Sequence, residues 1–161
     1  MLRIIKILLV FSVFLWGIFG AFGNLTDWNG TIGAVKAVAS MSTFEGGAES
    51  WRATTNPFLI LAGALFIILS KITAGILCLI GGGRMWSARK ADAAAFNHAK
   101  TFALSGCGVA IFMLFLGFIV IGEGWFELWR SDVFRDLAGQ SAFRYAGMIG
   151  IVAIFVSVAD D

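Results

Sequence analysis

The side chain with the sharpest chemical meaning is Lys71, the one charge within the apolar run Phe58–Leu79, FLILAGALFIILSKITAGILCL. An ammonium near mid-membrane costs about 2.5–3.5 kcal/mol on insertion scales, so it must face a bundle interior, a partner or a wet cavity. It serves there as counter-ion to an anionic ligand, a lipid headgroup or a proton path. Otherwise it forms an intrabundle pair, or its stem snorkels toward the inner surface. No obvious carboxylate partner lies within the apolar runs. At helical spacing Ala64, Ile67, Ile68, Gly75 and Cys78 share the lysine's side. The small residues among them suit a face turned toward a neighbouring helix.

A second group mixes both signs: Asp27, Glu45, Glu49, Arg52, Glu123, Glu127, Arg130, Asp132, Arg135, Asp136 and Arg144. Glu123 and Glu127 stand one helical turn apart and could hold a cation or do acid–base work. Ion pairing with Arg52 and Arg130 is the simpler use. Four tryptophans interleave with these charges, so the expected interaction cap is Asp27, Trp28, Trp51, Arg52, Glu123, Trp125, Trp129, Arg130 and Arg144. His98 stands alone, and Cys78 and Cys107 lie in apolar runs as small membrane hydrophobes. No serine-nucleophile motif, HExxH or haem-type histidine pair is present. The expectation is therefore no catalytic, cofactor or metal site.

The elements that must position these residues are membrane helices. The chain has 161 residues, 59% hydrophobic and 14% charged, against roughly 45–50% and 25% in soluble domains. A pI near 8.7 and a net charge of +2 are too mild to suggest nucleic acid. Four apolar segments, about 4–22, 58–80, 102–121 and 142–158, predict an all-α, four-span transmembrane helical bundle forming one integral membrane domain over 1–161. The first, with Arg3 and Lys6 ahead of it, also fits a signal peptide. Phe19 and Phe22 crowd the cleavage region, so a retained span is expected.

Between the first two spans, Ile32, Val35, Val38 and Met41 recur at three-residue steps and predict a short amphipathic helix. With the segment after Glu123 it would make a small outer cap. Asn56-Pro57 opens the second span as N-cap and first helical residue. Gly81-Gly82-Gly83-Arg84 is expected to close it. Met85–Lys100 reads as a short, charged helical connector. All six tryptophans are expected at or near interfaces. Arg3, Lys6, Arg84, Arg89, Lys90 and Lys100 fall on one side and Lys36, Arg52, Arg130, Arg135 and Arg144 on the other; the first helix and the compact basic loop dominate, so both termini are expected in the cytoplasm.

Asn24-Leu25-Thr26-Asp27, Ser40-Met41 with Thr43-Phe44, Trp51-Arg52-Ala53 with Asn56-Pro57, Gly124-Trp125-Phe126 with Trp129, and Gly139-Gln140 with Ala142-Phe143-Arg144 carry a resemblance over nearly the whole chain. The chain resembles the small integral membrane proteins called domain of unknown function 2165. The resemblance implies a bacterial four-span protein of the inner cell membrane and brings no activity, substrate or cofactor. The expected function is a non-enzymatic accessory, scaffold or assembly subunit of a larger membrane complex, binding partner helices or lipid. Its partners would be membrane lipids, other membrane subunits or further copies of itself. The alternative is a small oligomeric transporter or channel with Lys71 lining the path.

Overall fold

Four helices are long and apolar enough to cross a membrane: Leu2–Thr26, Pro57–Ala88, Ala93–Trp125 and Asp132–Ser157. They are seen in a computed structural model that describes residues 1–160. Asp161, read with Asp160 as the end of the inner tail, lies outside the described residues. Among the described residues there is no strand.

Helix α1, Leu2–Thr26, ends at Asp27. That carboxylate accepts from the Gly30 amide at 3.0 Å and so caps α2, Trp28–Ala39. Helix α2 is the amphipathic element expected from the three-residue steps. It lies over the next helix, with Val35 against Gly63. The chain leaves α2 at Ser40, and Met41 takes a left-handed φ of 51° while fully buried. A backbone bond from Thr54 to Ala39 at 2.8 Å closes the loop back onto α2. Asn56 then caps α3, Pro57–Ala88, by accepting from the Phe58 amide at 2.9 Å.

The glycine run Gly81–Gly83 does not end α3, which continues through it to Ala88. A Cβ on Gly81 would run into the backbone of Ala103, and one on Gly82 would press the ring of Phe11. These glycines bring helix backbones together; in apolar surroundings close packing is what holds helices to one another. With 32 residues, α3 is about 48 Å long and overruns a hydrocarbon core of about 30 Å.

Asp92 caps α4, Ala93–Ala99, and α5, Thr101–Phe112, follows almost without a break. It passes into a wider π-helix, Met113–Trp125, a form that is rare and concentrated at functional sites. A 3-10 turn, Leu128–Arg130, then α6, Asp132–Phe134, and a π-turn, Arg135–Gln140, lead into α7, Ser141–Ser157. Helix α3 packs most widely, against α1 and α5; α7 lies on α5 and more thinly on α1.

The core is built from small and medium residues: Val10 and Val13 of α1, Ala74 and Cys78 of α3, Ala103, Cys107 and Ala110 of α5, and Ile149 of α7. Phe19, Leu69, Phe115, Phe143, Ile151 and Ile154 face outward instead. That inverted surface suits lipid rather than water. Trp16 departs from the interfacial placement. It lies mid-helix, packed on the core and tilted against Tyr145 with ring centroids 5.9 Å apart.

Candidate functional site

Lys71 leaves α3 against Gly20 of α1, whose missing side chain makes room for the lysine stem. Its Nζ donates to Asn24 Oδ1 at 2.6 Å. The stem thus runs toward the end of the bundle that carries α2, and of the alternatives read from the sequence it makes a contact within the bundle. The physical reason is local: Cα–Cβ bonds tilt toward a helix's own N-terminus, and α3 begins at the α2 end. Asn24 donates in turn to Thr31 Oγ1 at 2.9 Å, and Thr31 donates back to the Asn24 carbonyl at 3.1 Å. One polar thread therefore ties α3, α1 and α2. Among the described residues no carboxylate forms an ion pair with Lys71.

Above this thread opens a cavity of about 580 Å³. Val35 and Val38 of α2, Ala62, Gly63 and Phe66 of α3, and Gly117, Phe118 and Ile121 of the π-helix form its walls. Its polar side chains are few: Lys71, Asn24, Thr31 and Thr54, with Trp125 at the edge. An apolar pocket with a small set of placed polar groups is the usual form of a small-molecule site. Among the described residues the lining holds no carboxylate, histidine, serine or cysteine.

The expected cap residues are only partly brought together. Arg52 is paired with Glu127, and Arg130 Nη1 reaches the same carboxylate at 3.0 Å. Arg130 also lies over the ring of Phe44 at 4.5 Å, and Trp51 meets Trp125 edge-on at 5.5 Å. These contacts join the 40–56 loop to the 125–130 segment. Asp27 serves as the cap of α2. Glu123 lies against Gly139, where a Cβ would collide with the carboxylate. Trp28 stands at the start of α2, and Trp129 is exposed. Arg144 is exposed on α7 and donates to Ser141 at 3.0 Å, apart from the Arg52–Glu127–Arg130 group.

Hydrogen bonds from Arg130 and then Arg52 hold the Glu127 carboxyl below the ordinary carboxylate range. A depressed folded value means that its contribution is complete above the unfolded pKa, about 4.3, and is lost as pH falls through the folded value. Glu127→Gln should therefore speed hydrogen exchange in the 40–56 loop severalfold at neutral pH, and acidification should do the same to the unmutated protein. Exchange unchanged in both cases would mean that the tryptophan contact alone pins the loop.

A family model described as "Predicted small integral membrane protein (DUF2165)" matches residues 2–159. The chain belongs to this family. No curated protein and no solved structure matches it. As a DUF2165 protein it is a multi-pass integral membrane protein, of a family whose function is unknown.

The opposite end of this DUF2165 bundle holds a cluster that the sequence reading missed. Lys6 and Lys100 both reach Asp160 Oδ2, at 2.7 and 2.6 Å. Both also donate to the Val158 carbonyl, at 2.6 and 2.8 Å. Asn97 exchanges hydrogen bonds with the Asp160 backbone. Lys6 is fully shielded, and the Asp160 side chain is 4% exposed. Burial pushes the Asp160 carboxyl up, but the hydrogen bonds and charges of Lys100 and Lys6 outweigh it and leave the carboxyl below its ordinary value. The signal was available: an even number of spans puts both termini on one side, so an acid just past the last span is a natural partner for basic residues flanking the first and third.

Proposed function

We propose that this DUF2165 protein is a non-enzymatic accessory subunit of the membrane that holds a lipid or another apolar molecule in the cavity beneath α2. The observation that carries this is the cavity itself: about 580 Å³, apolar-walled, with Lys71 and Asn24 as its polar anchor. The paired Arg52, Glu127 and Arg130 join two segments into one surface beside it, available to a partner subunit. Both termini face the cytoplasm in this proposal, because Arg3, Lys6, Arg84, Arg89, Lys90 and Lys100 flank the spans at that end. The membrane is the bacterial inner membrane.

A transport path past Lys71 is less well supported. Directly below the lysine the helices close on one another: a Cβ on Gly17 would meet the Lys71 carbonyl, and one on Gly106 would meet the Cys78 sulfur and the Ala74 carbonyl. Such contacts press α1 and α5 onto α3 just below the lysine.

The binding proposal is tested by filling the cavity. Ala62 lines it and is exposed, so Ala62→Trp adds bulk without entering the core. Mass spectrometry of the protein in mild detergent should find a retained apolar molecule, severalfold depleted in Ala62→Trp at unchanged helicity. Equal retention by both proteins would overturn the proposal.

A further inference from the structure

We infer that the cavity ligand is a single-chain anionic amphiphile whose carboxylate-like head binds Lys71 and whose chain lies along Phe66 and Phe118; this rests on the binding proposal above. Charge complementarity is the first support. Among the described residues of the lining only Lys71 is charged, and it donates to a neutral amide, Asn24. Among the described residues no carboxylate balances it within ion-pair distance. A half-buried cation with no counter-charge is costly in an apolar setting. An incoming oxyanion would supply the counter-charge and accept a charge-assisted hydrogen bond, the stronger kind.

The donor geometry suits such a head. Asn24 accepts from Lys71 through one amide atom and donates to Thr31 through the other, which fixes the lysine stem while leaving the ammonium two further protons to give. Thr54 adds a hydroxyl to the same lining. Volume argues for one chain. A methylene displaces roughly the volume that water occupies in the liquid, about 30 Å³, so 580 Å³ takes on the order of twenty such groups. That is room for one acyl chain.

The probes are oleate and methyl oleate, which share a chain and differ in charge, added to the detergent-solubilised protein at a pH that ionises the acid. The unmutated protein should bind oleate about tenfold more tightly than the ester. Lys71→Met should abolish that preference, and Lys71→Arg should restore most of it. Equal binding of acid and ester by the unmutated protein overturns the anionic head while leaving the binding proposal standing. Failure of both probes to bind, at a cavity also insensitive to Ala62→Trp, overturns the two together. Should Lys71→Met fail to fold, the acid–ester comparison on the unmutated chain still decides. Displacement of oleate by an equal amount of anionic two-chain phospholipid would overturn the single-chain assignment.

Discussion

Asp160→Asn should lower the stability of the detergent-solubilised protein by about 3 kcal/mol, toward the low end of what breaking a buried ion pair costs. The substitution keeps the shape of the side chain and removes its charge. It leaves two ammonium groups, Lys6 and Lys100, both held near one carboxylate oxygen and shielded from water, without their shared anion. Denaturant titration of the two proteins reads the difference directly, and a loss under about 0.5 kcal/mol, the scale of ordinary surface substitutions, would show that water reaches the cluster.

The same carboxylate sets a pH dependence. Its folded pKa is depressed, because the two lysines outweigh the cost of burial. Its contribution is therefore complete above the unfolded value of about 3.9 and disappears as pH falls through the folded one. In Asp160→Asn that acid-side loss should be smaller. Replacing all three charges with apolar residues of similar size should recover most of the stability, since an absent ion pair costs less than a broken one.

Gly81→Ala and Gly83→Ala should move stability in opposite directions although the two glycines stand two positions apart in one helix. At Gly81 the new methyl meets the backbone of Ala103, which cannot swing aside as a side chain would. Helices α3 and α5 must separate, at a cost of about 2 kcal/mol. At Gly83 nothing lies within 4 Å of the added carbon, so the helix gains the difference in propensity, up to about 1 kcal/mol. Denaturant titration of both variants against the parent would check this. Equal effects would mean that the run is a flexible helix end after all, as its composition suggested.

The comparison shows where local pattern stops being enough. Gly81-Gly82-Gly83-Arg84 has the composition of a helix terminus, and only the α5 backbone at Ala103 and the Phe11 ring of α1 reveal it as a packing surface. The direction of the Lys71 stem was within reach, because α3 starts at the α2 end and side chains lean toward their helix's N-terminus. Its partner was not, since Asn24 belongs to another helix. The join between the two cap segments could be read from their alternating charges and tryptophans, but the choice of Glu127 over Glu123 for the two arginines could not.

By itself the sequence determined the membrane class, the all-α architecture, the four apolar helices, the amphipathic α2 and the Asn56 cap. Those follow from composition and period because hydrocarbon leaves the backbone no partner but its own helix. Tertiary structure alone decided which helices meet, and with them the cavity under α2 and the Lys71–Asn24–Thr31 thread. Each of those joins residues far apart in the chain. Whether two helices meet depends on the fit of side chains from both, and no periodicity within one segment records the shape of the other.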